Sequence, residues 1–193
     1  MAEKPSIEVT FRQLAATAAE RSKRGIAALI VKEETPPFSF KLYSSLTDAA
    51  ADKTKFTAAN YAAITDVLRH APYRLAVVCL TETSSAAADI ADAAPVIEAN
   101  LTTCWAAIAG ATSAQTAALV TWAKAKEAAG ASYKALVYNA SAPDCMHIVN
   151  FATTSVTFAD TTRGTSGKVT GDGYIPSLLG ILAAANVEGS VTY

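Results

Sequence analysis

The spacing of apolar positions changes character several times along the chain. Ile7-Glu8-Val9-Thr10-Phe11 alternates apolar and polar residues with period two, which predicts a half-buried strand. It precedes any hairpin partner and so reads as an N-terminal arm. From Phe11 to Lys23 the period is helical, with Leu14, Ala15, Ala18 and Ala19 on one face. Arg21, Lys23 and Arg24 crowd its last turn, where cations suit the helix dipole, and Gly25 ends it.

Gly25 to Val31 is a continuous apolar run, as in a strand buried on both faces. Glu33 to Pro37 reads as a turn, and Phe38 to Tyr43 alternates like an edge strand. Thr57 can cap a helix running to about Arg69, with Tyr61, Ile64 and Leu68 on one stripe. Arg74 to Leu80 predicts a second buried strand. Ser85 to about Asn100 is an alanine-rich helix that Pro95 should kink or split. Thr102 to Ala109 predicts a third strand. A helix follows from Ser113 to about Ala129, closed by Gly130, and Tyr133 to Tyr138 predicts a fourth strand.

Helices and buried strands thus alternate from residue 26 to 138. That pattern predicts βαβ units in an α/β fold: a mainly parallel sheet with helices on both faces. Residues 148–170 are rich in β-formers, then in Thr, Ser and Gly, and predict a hairpin or paired strands. Tyr174 to Ala185 returns to helix with Pro176 in its first turn, and Gly189 to Tyr193 is β-like. The expected organisation is an arm of strand and helix over 1–24 and an α/β core over 25–193.

Composition narrows the function classes. With 193 residues the chain can bury a core without disulfide or metal staples. The 43 alanines imply close backbone packing rather than a leucine-rich interior. A net charge of −1 leaves no excess of Lys and Arg for a phosphate backbone, so no nucleic-acid partner is expected. Met-Ala-Glu-Lys-Pro carries no apolar signal segment, and no apolar run approaches the ~18 residues a membrane span needs. Cys79, Cys104 and Cys145 are widely spaced with no CxxC, which favours buried reduced thiols.

Few residues offer chemistry. His70 ends a helix four residues after Asp66, which reads as a charge pair or a histidine at a favourable dipole end. His147 lies beside Asp144 and Cys145, but a nucleophile pair needs convergence and an orienting third group. Gly164-Thr-Ser-Gly167 has the Gly-Thr-Ser order of a subtilisin-type nucleophile, yet Ser166 precedes a β-like segment rather than a helix. Gly167-Lys168 falls short of a phosphate loop, because Val169 stands where Ser or Thr would hold magnesium. No His, Cys or carboxylate set has metal-ligand spacing. Trp105 and Trp122 read as core residues. No catalytic residue, metal or cofactor is expected.

Four segments in order resemble contractile phage tail sheath proteins of the prophage or phage-like-particle type. They are Pro5 to Lys32, with Leu-Ala-Ala, Arg-Ser and Arg-Gly between a short strand and an apolar one; Trp105 to Gly110 with the helix bearing Trp122 and Lys124; Tyr133 to Asn139 leading to Ile148-Val-Asn-Phe151; and Tyr174 to Ala185 ending in Gly-Ser-Val-Thr-Tyr193. The resemblance implies a structural subunit of the virion, made in the host cytoplasm, that forms hexameric rings around a tail tube and contracts on host attachment. It also implies an N-terminal strand added to a neighbouring subunit's sheet. The candidate interface residues are Ile7, Glu8, Val9, Thr10 and Phe11, whose lone strand pattern fits such an addition. Sheath proteins of this type continue past the Ser-Val-Thr-Tyr position into a C-terminal domain, so the chain reads as an N-terminal portion or a short member. Two other readings stay open: a small α/β enzyme, which needs Ser166 near His147 and an Asp, and a monomeric binding module, in which residues 7–11 pair within their own chain.

Overall fold

A computed structural model of the chain describes residues 24–82 and 86–185. The arm strand Ile7 to Phe11, the helix after it and the β-like end at 189–193 lie outside those residues. The first described strand, β1 (Ile26–Glu33), sits mid-sheet. The chain then leaves through β2 (Phe40–Tyr43), a short helix α1 (Leu46–Ala50) and a 3-10 turn at Lys53–Lys55. It returns through α2 (Ala58–Leu68) to β3 (Arg74–Thr81). Next come α3 (Ala86–Asn100), β4 (Cys104–Ile108), α4 (Ser113–Ala128), β5 (Tyr133–Tyr138) and β6 (Ile148–Phe151). β7 (Ser155–Thr157), β8 (Lys168–Thr170) and α5 (Gly171–Ala184) complete the described chain.

The main sheet has the order β2-β3-β1-β4-β5-β6, and β7 pairs antiparallel with β8 apart from it. β1 runs parallel to both β3 and β4, in register Ile26 with Arg74 and Ala28 with Ala106. Only β2 is antiparallel in this sheet, pairing Tyr43 with Leu75. The predicted mainly parallel sheet between helices is therefore what folds, with the hairpin confined to β7 and β8. Residues 148–151 instead join the main sheet beside β5.

Alternate residues of one strand feed two cores, because strand side chains alternate faces. Ala27, Leu29 and Val31 pack with Ile64 and Val67 of α2 and Ile175 and Leu179 of α5. Ala28 and Ile30 pack with Ile97 of α3 and Leu119 and Ala123 of α4. Alanines on the central strands let the helices approach closely. Cys79 and Cys104 are buried free thiols, pushed up by desolvation to about 11 and about 12.

The caps explain the helix starts. The Thr57 hydroxyl accepts from the Asn60 amide, and α4 opens on a full capping box between Thr112 and Gln115. Gly130 follows α4 with φ +69, a conformation that glycine adopts at little cost. Of the two outcomes expected at Pro95, a kink or a split, the split does not occur: α3 runs unbroken to Asn100. Pro95 and Ala91 lie on the exposed side, so the carbonyl that Pro95 leaves without a donor faces water. Helix α5 starts at Gly171, three residues early, which puts Pro176 in its second turn.

The stretch between β2 and α2 gives no clear periodicity, yet it is held by one carboxylate. Asp52 accepts from Lys41, from Lys55 at 2.9 Å and from the Tyr43 hydroxyl at 2.7 Å. Those donors, Lys41 first, hold its carboxyl well below the usual range.

Candidate functional site

In an open parallel sheet, ligands bind outside the carboxyl ends of the strands where the strand order reverses. Here that point lies between β1 and β4, since the chain passes to β3 on one side and to β4 on the other. Polar side chains of the chain itself are bonded together near it. Glu33, 6% exposed at the end of β1, accepts through Oε1 from the Thr57 amide at 2.8 Å and Asn60 Nδ2 at 2.8 Å. Asn60 Nδ2 also donates to the Lys32 carbonyl at 2.6 Å. On the other face Asp89, fully buried, accepts from Lys32 Nζ at 3.2 Å and from Gln115 Nε2. Gln115 is also the capping-box residue of α4, so its side chain joins a helix start to a buried carboxylate. A nucleotide would have to displace this network and leave buried charges unpaired, which is costly.

A groove of about 590 Å³ opens further along, between the start of α4, Tyr138 to Ser141 and Asp172. The helix start that borders it is already satisfied by Thr112 and Gln115. A smaller space of about 230 Å³ lies across Asp172, beside Asn60 and Asp66. Neither gathers an acid, a base and a nucleophile.

The sequence candidates lie apart. His147 enters β6 with Nδ1 buried and no hydrogen-bond partner, so no carboxylate orients it as a triad requires. Ser166 stands in the β7–β8 turn, exposed, at φ +52 beside Gly164 and Gly167, which also have positive φ. No hydrogen bond among the described residues joins Ser166 to His147. Cys145 Sγ donates to Glu127 Oε2 at 2.9 Å; burial and that carboxylate push its thiol up, opposite to an activated nucleophile. Lys168 belongs to β8, not to a loop before a helix. Trp122 is core, with Nε1 donating to Glu98 at 3.0 Å, whereas Trp105 is half-buried under Lys134, 5.1 Å from its ring.

His70 departs from its expected pairing. Asp66 is taken instead by Arg163, at 2.9 Å, from the β7–β8 crossing. Nothing in the spacing of the sequence joins Arg163 to Asp66; the fold brings them together across 97 residues.

These strands and helices have a solved counterpart. The fold is similar to a sheath tail protein. That crystal structure, from Desulfitobacterium hafniense, superposes with a TM-score of 0.67 at 14% identity, over 88% of this chain and 61% of the other. The match therefore spans less than two thirds of that protein. No family model matches the chain. No curated protein matches it by sequence. The α/β architecture read from the alternation of strands and helices is thus one that a sheath tail protein also adopts.

Among the described residues β2 and β6 form the two edges of the main sheet. β6 is short and partly exposed, and Asn150 folds back on the Ala140 amide and carbonyl at 2.9 and 3.2 Å. Among the described residues no helix is long and apolar enough to cross a membrane. The candidate interface residues Ile7, Glu8, Val9, Thr10 and Phe11 lie outside the described residues.

Proposed function

We propose that the chain is a structural subunit of a contractile phage tail sheath. The observation that carries this reading is the sheath-like fold over 88% of the chain. The four ordered sequence segments, read from residues alone, support it independently.

In this reading the protein is not an enzyme, and its partners are copies of itself and a tail tube protein. Residues 1–24 act as an arm and 25–193 as the core. Ile7 to Phe11 add a strand to a neighbour, which satisfies the arm's backbone groups and buries alternate side chains. Subunits so linked form rings, six to a ring, and contraction proceeds by rigid-body rearrangement with the strand links kept. The protein is then a component of the virion, made in the host cytoplasm. The enzyme reading requires His147 to be oriented by a carboxylate, and its Nδ1 has no partner.

Deleting residues 1–11 tests the proposal. The account expects an unchanged circular dichroism spectrum and melting transition, with loss of the rings or tubes that the full chain forms in electron micrographs. Rings or tubes formed equally well by the deletion variant would remove the arm from the assembly.

A further inference from the structure

The crossing between β7 and β8 is tied to the helix layer by one side chain. Arg163 Nη2 lies 2.9 Å from Asp66 Oδ1 on α2 and 3.0 Å from Ser177 Oγ on α5. Its guanidinium stacks 4.1 Å from the Phe158 ring centre. Ser177 is 1% exposed, so this contact reaches the floor of the α2–α5 seam.

His70 sits at the same seam, just beyond α2. Its Nε2 is buried and has no hydrogen-bond partner. Gly180 of α5 presses against it: a Cβ there would lie 3.0 Å from His70 Cδ2 and 2.5 Å from the Val67 carbonyl. The imidazole therefore has no room to turn toward α5. The charged groups that bear on it are Asp66 of α2, Arg69 at the C-cap of α2 and Arg163 of the crossing. Helix α5 brings none, because its one charged residue, Asp172, is in its first turn, eight residues before Gly180. Arg24 adds a further cation nearby, donating to the Ala71 carbonyl at 2.8 Å. Two cations, Arg69 and Arg163, and one carboxylate thus face the ring with Arg24 beyond them, and that carboxylate is already engaged by Arg163 at 2.9 Å and Arg69 at 3.9 Å.

We propose that His70 is an acid-sensitive release for this latch: when it gains a proton, Arg163 lets go of Asp66 and the β7–β8 hairpin lifts from α2 and α5. A protonated ring carries a donor on both nitrogens. The buried Nε2 has no acceptor, and the added charge stands against the Arg163 and Arg69 guanidiniums and draws on Asp66, the carboxylate that both of them share through Oδ1. Burial, then the Arg163 charge, hold the His70 pKa below its ordinary value. The end of α2 favours a cation, but these two effects outweigh it. The sign follows. Freed of the Arg163 charge, His70 has a higher pKa than in the latched state, so the latched state loses stability as pH falls and regains it as pH rises. Each unit between the two values loosens the latch by up to about tenfold.

Hydrogen exchange on the full chain at pH 7.5 and 5.5, corrected for intrinsic exchange rates, tests this. Protection over residues 155–170 should fall several-fold at pH 5.5 while β5 keeps its own. His70→Gln should hold hairpin protection at pH 5.5, His147→Gln should behave as the parent, and Arg163→Gln should lack it at both pH values. Hairpin protection that does not change with pH in the parent, or that falls equally in His70→Gln, overturns the proposal. A second readout does not depend on the His70 variant folding. The chain has two histidines, and an NMR titration should show the His70 pKa rising in Arg163→Gln while His147 stays put. An unmoved His70 would overturn the coupling.

Discussion

Glu33, at the end of the central strand β1, accepts a hydrogen bond from Asn60 in the first turn of α2 at 2.8 Å. That contact, with the Thr57 amide on the same oxygen, binds the start of α2 to the reversal point of the sheet. Glu33→Ala would remove the buried acceptor that the Thr57 amide and Asn60 Nδ2 share. The expected loss is about 2–4 kcal/mol, read from urea denaturation at pH 7. A loss near zero would mean that water replaces the carboxylate and that the crevice is open to ligands.

Gly180 tests how closely the helices are set. An exposed helix interior gains about 1 kcal/mol when Gly becomes Ala. At Gly180 the added carbon would meet the Val67 carbonyl at 2.5 Å, which is inside any real contact. Gly180→Ala should therefore destabilise, by about 1–3 kcal/mol, despite its better helix propensity. The melting temperature of the variant checks the sign.

Asp52 gives a pH dependence with a defined direction. Its carboxyl is held low by Lys41, then Lys55, with Tyr43 also donating. The unfolded chain takes up this proton first, near ~3.9, so the stabilisation is complete well above that pH and is lost as pH falls through and below it. Asp52→Asn should be less stable than the parent by about 2–3 kcal/mol at pH 7. The gap should close as pH drops below about 4 in denaturation measured across pH.

The thiols should separate by burial. Cys79 and Cys104 are buried with raised pKa values, and Cys145 is half-buried. Native protein at pH 8 should react with a thiol reagent at Cys145 alone, and slowly, because Glu127 shares its proton. All three should react in denaturant. Rapid native labelling of Cys104 would mean that the sheet opens at β4.

Much of the frame was legible in the pattern of residues. β5 starts and ends at the expected residues, α2 starts at its expected cap Thr57, and α4 opens at Ser113 and closes before Gly130 as expected, because these positions carry local physical signals. The signals failed where structure is fixed by distant partners. Helix α1 and the turn at Lys53–Lys55 are too short to show a period, and Asp52 organises them through a lysine on β2. Pro95 reads as a breaker because the sequence does not show which face meets water. Residues 148–151 look like half of a hairpin, and only the open flank of β5 makes them a parallel edge strand. The switch-point network was missed for the same reason. Glu33 looks like the polar end of a strand until Thr57 and Asn60 are brought onto it. Ser166 of the Gly-Thr-Ser segment lies in a turn where Gly164, Ser166 and Gly167 all have positive φ.

The proposed arm is tested most directly by the backbone amides of Ile7 to Phe11. Hydrogen exchange of the full chain would be followed over a wide range of protein concentrations, with β5 as an internal reference. The account predicts that protection of residues 7–11 rises with concentration while β5 stays constant, as a strand donated to another copy requires. Protection of residues 7–11 that is the same at every concentration, whether high or absent, would contradict it.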